Sequence, residues 1–228
     1  VIKNVEVPDT QFDKALAGEI MFDGSSIEGF VRIQESDMLL RPDPDSLRII
    51  PQEKGAEEHR RATLICDVSL PDGTPFPGDP RYVLRRAIER AAESGYHAMF
   101  GPEAEFFLFH RTADGLPTTE THDQGAYFDL SPVDRGEDAR RHIVNVLEKM
   151  GFEVEAAHHG VAPGQHEIDF KYADALTTAD NLLVFRHVVR KLALSHALHA
   201  TFMPKPLFGV NGSGMHTHQS LFDESGAN

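Results

Sequence analysis

A short acidic stretch that runs directly into aromatic residues constrains this chain most strongly. Residues 101–109 read GPEAEFFLF, and strand-type alternation places Glu103 and Glu105 on one face, which Phe107 and Phe109 continue. Two carboxylates this close repel each other, and apolar surroundings raise the cost of their charge. A divalent cation or an Arg/Lys pair would relieve the repulsion, and an exposed strand end with solvated acids is the alternative. The apolar run favours cation binding.

Two later segments offer further oxygen and nitrogen ligands. Glu167 and Asp169 alternate on a second predicted strand, although a surface acid is the ordinary interpretation of either one alone. His216 and His218 share one face of a strand after a glycine-rich loop, for which the alternative is a hairpin turn with exposed histidines. Carboxylates beside imidazole, without thiolates, favour Mg²⁺ or Mn²⁺ over structural zinc. The DGSS segment at residues 23–26 predicts, by itself, only a turn.

The composition narrows the class of function. A formal net charge of −14 over 228 residues argues against a nucleic-acid footprint and against attraction to anionic membranes. Cys66 is the only cysteine, so the chain cannot form an internal disulfide, which favours a reducing compartment. No apolar run approaches the roughly 20 residues of a spanning helix. The first residues also lack the basic and then apolar pattern of a signal peptide. We therefore expect a cytoplasmic protein.

A segment dense in proline and glycine, LPDGTPFPGDP at residues 70–80, predicts a domain boundary. Residues 1–77 read as short extended segments, with strands over 29–43 and 62–68 and one brief helix. Residues 78–228 mix strands with three predicted helices: one starting at Pro80 behind an Asp79 cap, one behind an Asp134/Glu137 capping box, and one over residues 178–198.

The chain resembles glutamine synthetases of the bacterial type I class in five segments that occur in this order: FDGSSIEGF, ESDMLLRPD, GPEAEFFLF, GQHEIDFKYADA and ATFMPKPLFGVNGSGMHTHQSL. The resemblance implies an α+β fold, in which a β-grasp-like domain (1–77) precedes a catalytic domain (78–228) with a curved antiparallel sheet backed by helices. It implies a double-ring homo-oligomer whose active sites are shared between subunits. It also implies a glutamate–ammonia ligase, which uses ATP to join ammonia to the γ-carboxylate of L-glutamate through γ-glutamyl phosphate.

The same resemblance assigns roles to individual residues. Asp23 and Ser26 match the loop that reaches a neighbouring subunit's site, where Asp23 helps to bind ammonium and takes its proton. Mg²⁺ or Mn²⁺ would be the cofactor and ATP a substrate. The remaining matches are ligands of one metal ion (Glu105, Glu167), ligands of a second (Glu103, His216), glutamate-binding residues (Asn211, Gly212) and nucleotide-binding residues (Glu155, Phe170, Lys171, Tyr172, His218, Ser220).

Two departures from the family pattern bear on activity. Where the family has His-His-Glu-Val with a metal-binding glutamate, residues 158–161 read HHGV, so Gly160 offers no carboxylate and the metal site is weakened. The family's C-terminal half, with further metal and substrate ligands, is not among these 228 residues, so we expect no turnover by this chain alone. Gly160 favours one alternative, a catalytically impaired synthetase-like scaffold or regulatory protein. The other alternative is a glutamate–polyamine ligase, against which the intact Asp23 loop favours ammonia.

Overall fold

The structure is a computed structural model that describes residues 2–27, 36–51, 61–223 and 225–227. The chain forms two compact units, one comprising Val1–His97 with Phe222–Asn228 and the other Ala98–Leu221. The domain boundary that the sequence places between residues 77 and 78 stays a prediction. In the described part of the chain, no helix combines the length and apolar character needed to cross a membrane.

The described part of the first unit contains short strands and two α-helices, besides 3-10 turns. Its elements are α1 (Phe12–Leu16), β1 (Ile20–Asp23), β2 (Asp37–Pro42), β3 (Arg48–Ile50), β4 (Arg61–Thr63), β5 (Cys66–Ser69) and α2 (Pro80–Glu93). The strands form a three-stranded antiparallel sheet in the order β1-β2-β5 and a separate β3-β4 pair. The part of the predicted 29–43 strand that covers residues 29–35 lies outside the described residues.

Helix α2 begins where the sequence predicts and is tied to the sheet by charge. Asp79 accepts a hydrogen bond from the Arg81 N–H at 3.1 Å, so the predicted cap is confirmed. The Arg81 guanidinium then bridges Asp43, at 2.7 Å, and Asp67. Because the Arg81 side chain is only 8% exposed, these ion pairs are largely buried, and they hold the helix against β5 and the residue that follows β2.

The second unit is built on one long strand. Its elements are β6 (His97–Arg111), β7 (Pro117–Thr121), α3 (Glu137–Lys149), β8 (Val154–His159), β9 (Gln165–Phe170), β10 (Ala173–Asp174), α4 (Ala175–Ser195), β11 (Leu198–Thr201) and β12 (Met215–Phe222). Strand β6 pairs antiparallel with β7, β9, β10 and β11, and it also pairs with β12, while β8 adds to the far side of β9.

The core of this unit lies between the sheet and the helices. Phe106 on β6 and Phe170 on β9 are buried and contact Phe185 of α4, with ring centroids 6.3 Å and 5.6 Å apart. Ile143 and Leu147 of α3 are fully buried as well. Because side chains alternate along a strand, the residues on either side of Phe106 point to the opposite face of the sheet. The antiparallel sheet with helices packed on it confirms the predicted α+β class.

Candidate active site

The register of β6, β9 and β8 gathers four carboxylates and one imidazole on the sheet face opposite the aromatic core. Glu103 lies opposite Asp169, and Glu105 lies opposite Glu167. On the next strand, His158 lies opposite Glu167. Directly paired residues of antiparallel strands point to the same face, and so do residues two apart on one strand. We call these five residues the acidic face.

Two carboxyl groups of the acidic face resist ionisation. Burial raises the pKa of Glu167, and the charge of Asp169 raises it further. Burial also raises the pKa of Asp169, against the opposing effect of His158, and Glu103 adds to the rise. The His158 Nε2 atom lies 3.5 Å from Glu167 Oε2, so it relieves only part of this repulsion. The acidic face therefore carries more negative charge than its own residues neutralise.

The same face offers ligand atoms that fit a divalent cation. His158, Glu167 and Asp169 each present one ligand atom, and the three atoms lie within 4.8 Å of one another. Asp169 Oδ1 is buried and has no hydrogen-bond partner among the described residues. Leaving such an oxygen unmatched is costly, and a cation would satisfy it. Oxygen donors with one imidazole and no thiolate suit Mg²⁺ or Mn²⁺. The sequence analysis raised Asp169 as a candidate oxygen ligand without assigning it to a metal ion, and it did not identify His158.

A second carboxylate–imidazole group lies where β12 pairs with β6. His218 Nε2 donates to Glu103 Oε1 at 2.6 Å, and His216 Nδ1 lies 3.4 Å from Glu103 Oε2. The hydrogen bond from His218 lowers the pKa of Glu103, although burial opposes this. The structure thus brings Glu103 and His216 together, as the predicted second metal site requires. It also places His218, predicted as a nucleotide contact, against the same carboxylate.

The loop before β12, residues 211–214, is held close to Glu105. The Gly214 N–H donates to Glu105 Oε2 at 2.6 Å. A Cβ atom at Gly212 would lie 2.3 Å from the Pro204 carbonyl oxygen, so only glycine fits there. The predicted glutamate-binding loop therefore adjoins a predicted metal ligand. Asn211 itself is exposed.

The predicted nucleotide-binding residues differ in how accessible they are. Tyr172 and His218 lie near each other, since the Cβ atom of each is within 4 Å of the Cβ position at Gly101. Tyr172 is 51% exposed, whereas Phe170 is 3% exposed and packs against the core, which leaves its main chain rather than its ring for a ligand. Lys171 pairs with Glu153 at 2.6 Å. Glu155 is exposed and Ser220 half-buried.

The predicted catalytic residues of the first unit form a compact turn. Asp23 precedes the 3-10 turn Gly24–Ser26 and accepts hydrogen bonds from the Ser25 N–H at 2.9 Å and the Ser26 hydroxyl at 2.7 Å. Hydrogen bonds from the Ser25 and Ser26 hydroxyls lower the pKa of Asp23. The predicted turn is therefore present, with its carboxylate held in the charged form at neutral pH.

On the other face of the same strands lies a set of ionisable side chains that the sequence analysis did not identify. We call it the buried network, and it comprises His122, Asp123, Asp134, Arg140, His159 and His166. His159 and His166 lie opposite each other in the register of β8 and β9, one residue away from His158 and Glu167 of the acidic face. The network draws on loop residues, α3, β8 and β9, so no local sequence pattern could have found it.

Hydrogen bonds connect the buried network throughout. Asp123 contacts His159 Nε2 at 3.2 Å with one oxygen and His122 Nε2 at 2.9 Å with the other. Arg140 donates to Asp134 at 2.7 Å and to His166 Nδ1 at 2.8 Å. Each charged member thus meets a partner of complementary character.

The protonation states of the network follow from these contacts. Burial alone would raise the pKa of Asp123, but hydrogen bonds from His122 and His159 hold it well below its usual range. Burial alone would lower the pKa of His159, but hydrogen bonds to Asp123 and to a main-chain carbonyl raise it. Burial lowers the pKa of His166 well below its usual value, so it is neutral and accepts from Arg140.

Both carboxylates thus have partners inside the network, because Asp134 is paired with Arg140 and Asp123 lies between His122 and His159. Four members, His122, Asp123, Asp134 and His166, are close enough to hold a metal ion. Because the Arg140 guanidinium already bonds Asp134 and His166, we assign no cation to the network.

Comparison with known proteins identifies related families for both parts of the chain. The profile described as "Glutamine synthetase, beta-Grasp domain" matches residues 1–71, and "Glutamine synthetase, catalytic domain" matches residues 77–228. The predicted order, a β-grasp domain followed by a catalytic domain, is therefore confirmed.

Individual relatives agree with these profiles. A glutamine synthetase of Thermus thermophilus is 67% identical over 226 residues, which cover 98% of this chain and 51% of the relative. One from Clostridium saccharobutylicum is 59% identical over 223 residues, covering 98% and 50%. Among solved structures, a GmaS/ADP complex superposes with a TM-score of 0.85 at 33% identity and covers 97% of this chain and 50% of its own. The chain thus spans about half the length of the curated relatives it matches.

Proposed function

The chain belongs to the glutamine synthetase family, and from that premise we propose that the whole protein joins ammonia to the γ-carboxylate of L-glutamate in the cytoplasm, with ATP as co-substrate. The observation that carries the proposal is the acidic face, with directly opposed carboxylates, raised pKa values and a buried oxygen without a partner in the described chain. The scaffold and polyamine-ligase alternatives are not favoured, because the curated relatives carry the name glutamine synthetase.

We assign two divalent cations, Mg²⁺ or Mn²⁺, to the carboxylates of this site. Glu105 and Glu167 would hold one ion, and Glu103 with His216 would hold the other. Bound there, a divalent cation would neutralise charge on the phosphoryl group during its transfer. Because Gly160 contributes no carboxylate, we expect the Glu105–Glu167 site to bind its ion more weakly than a site with a glutamate at that position.

The substrates take the remaining predicted residues. Glutamate is assigned to Asn211 and Gly212, in the loop that the Gly214 N–H anchors to Glu105. The γ-carboxylate of glutamate attacks the γ-phosphorus of ATP, which gives γ-glutamyl phosphate and ADP. Ammonia then attacks the acyl carbon and expels inorganic phosphate. ATP is assigned to Glu155, Phe170, Lys171, Tyr172, His218 and Ser220.

Asp23 is assigned to the amine. Its lowered pKa keeps the carboxylate charged, which favours a small cation such as ammonium, and it can take the proton that the nucleophile must lose. Ser26 holds this carboxylate through its hydroxyl. We further propose that the Asp23 turn serves a neighbouring subunit's site in a double-ring homo-oligomer, as the family resemblance implies.

The test is phosphate release from ATP by the complete protein with Mg²⁺ or Mn²⁺. We expect release only when glutamate and ammonia are both present, and none when putrescine replaces ammonia. Asp23→Asn should lower the rate by about 10²–10⁴-fold, the usual contribution of a positioned base.

Asp72→Asn is the matched control for the Asp23 variant. Asp72 is also a turn aspartate of the first unit, and it accepts hydrogen bonds from the Thr74 N–H and hydroxyl in the same manner. The control should keep the wild-type rate. Phosphate release that ignores glutamate, or an Asp23→Asn variant as fast as the control, would overturn the proposal. Phosphate release with putrescine instead of ammonia would indicate that the protein is a glutamate–polyamine ligase.

A further inference from the structure

One buried amide connects the predicted metal site to the predicted glutamate loop. Gln165, the first residue of β9, is 1% exposed. Its Oε1 accepts from the Ala162 N–H at 3.0 Å. Its Nε2 donates toward Glu105 Oε2 at 3.1 Å and the Gly212 carbonyl at 2.9 Å. The amide oxygen and the amide nitrogen of this side chain therefore both have partners, which lie on three separate segments.

The contacts leave Glu105 with one oxygen held and one available. Oε2 accepts both from the Gly214 N–H at 2.6 Å and from Gln165. Within the described part of the chain, Glu105 Oε1 has no hydrogen-bond donor, so this oxygen is the one left for a ligand. A carboxylate fixed in this way presents its second oxygen in one direction, which is how outer residues orient a metal ligand.

Gln165 occupies the space that the family's missing glutamate side chain would enter. A Cβ atom at Gly160 would lie 2.7 Å from Gln165 Cγ and 2.9 Å from its Oε1. Real Cβ atoms do not approach other atoms so closely, so any side chain at position 160 must push the Gln165 amide aside. The substitution noted in the sequence and the position of this amide are therefore coupled.

We propose that Gln165 is a positioning residue that holds Glu105 and the 211–214 loop in one arrangement, in the space left by Gly160. The inference rests on the proposed function, because it concerns a carboxylate assigned there to a divalent cation. It goes beyond that function in naming a residue outside the predicted ligands that links metal binding to the order of the substrate loop.

Two measurements on the protein test this role. Gln165→Leu keeps most of the volume but removes the amide, and we expect Mn²⁺ affinity, measured by titration calorimetry, to fall by about 10–100-fold, as is typical of such outer residues. Without ATP or metal, hydrogen exchange of the main-chain amides of residues 212–214 should become faster. Gly160→Ala should weaken Mn²⁺ binding in the same direction, because it displaces the amide while leaving Gln165 in place.

Thr178→Val is the control for general destabilisation. Thr178 is 7% exposed, and its hydroxyl bonds the Phe100 and Ala173 carbonyls in the same unit, so its loss should lower the unfolding temperature and leave both readouts unchanged. If Gln165→Leu fails to fold, Gly160→Ala carries the test.

The outcomes separate the two proposals. Wild-type Mn²⁺ affinity and wild-type exchange in both the Gln165 and Gly160 variants would overturn the positioning role. A wild-type protein that does not bind Mn²⁺ would overturn the proposed metal site instead, and faster exchange of the loop in Gln165→Leu would still support the positioning role.

Discussion

The two faces of β8 and β9 differ in how their carboxylates are neutralised, although neighbouring residues of the same strands contribute to both faces. On one face, His158 and Glu167 belong to the acidic face, where burial and then the charges of neighbouring carboxylates raise the pKa of Glu167. On the other, His159 and His166 belong to the buried network, where Asp134 is paired with Arg140 and Asp123 with His122 and His159. Adjacent positions on the same strands thus face incompletely partnered carboxylates on one side and paired carboxylates on the other.

This difference indicates which of the two faces needs a bound cation. The buried network is complete as it stands, since Asp123 is fully enclosed and bonded through both of its oxygens. The acidic face is incomplete, since Asp169 Oδ1 is buried without a partner in the described chain. A balanced network contributes to folding without ligands, whereas an unbalanced one gains from a cation.

The largest expected effect is on the buried network. Asp123→Ala would leave His122 and His159 without their shared carboxylate, in a site where the side chains of Asp123 and His159 are 0% exposed. Removing one partner of a buried ion pair typically costs about 3–5 kcal/mol of unfolding free energy. Urea unfolding followed by circular dichroism measures this loss.

Asp129→Ala is the matched control, because Asp129 is a half-buried aspartate of the same loop region that accepts one hydrogen bond from the Ala126 N–H. We expect it to change the unfolding free energy by about 0.5 kcal/mol or less. Equal effects of the two substitutions would show that the buried network does not hold the fold.

The sequence predicted the carboxylate pairs of the acidic face but not how the strands align them with His158. Alternation alone predicted that Glu103 and Glu105 share a face and that Glu167 and Asp169 share another, and the register joins the two pairs into one face. The alignment of His158 with Glu167 could not be predicted, because it depends on the conformation of the connection between β8 and β9.

The starts of the helices were likewise predictable from the sequence only in part. The Asp79 cap was predictable because it needs only its own neighbours. The Asp134/Glu137 capping box was wrong: α3 begins at Glu137 without a side-chain cap, and Asp134 bonds Arg140 in the buried network instead. The third helix spans Ala175–Ser195 rather than 178–198, because Asp174 caps it through the Leu176 and Thr177 N–H groups. Where a side chain such as Asp134 can either cap a helix or bond a distant residue, tertiary contacts decide between the two.

The next largest expected effect is the stabilisation of the protein when Mn²⁺ binds to the acidic face. Mn²⁺ at about 100 times its dissociation constant should raise the unfolding free energy by roughly 2.7 kcal/mol, seen as a higher unfolding temperature. Glu167→Gln should remove most of this gain, because it deletes a charged ligand. Glu153→Gln, which alters an exposed acid paired with Lys171, should keep all of it. A gain of equal size in both variants would place the ion away from the acidic face.

The smallest expected effect is that of Glu167→Gln on the unfolding free energy without metal, and it is a gain in stability rather than a loss. Glu167→Gln should then stabilise the protein by about 0.2–1 kcal/mol, because it removes one of two like charges that face each other across β6 and β9. The pKa of Glu167 is raised above its ordinary value of 4.5, so the folded state binds its proton more tightly than the unfolded chain does. Its contribution to stability is therefore present below the ordinary pKa and is lost as pH rises through the raised one.

Glutamine cannot ionise, so the variant escapes that loss. The difference between variant and wild type should be near zero at about pH 4 and should grow toward about pH 8. Urea unfolding of chelator-treated protein at several pH values measures it, with Glu153→Gln as the control that shows no such trend. A variant less stable than wild type at neutral pH without metal would mean that the acidic face is already balanced, and the contrast between the two faces would fail.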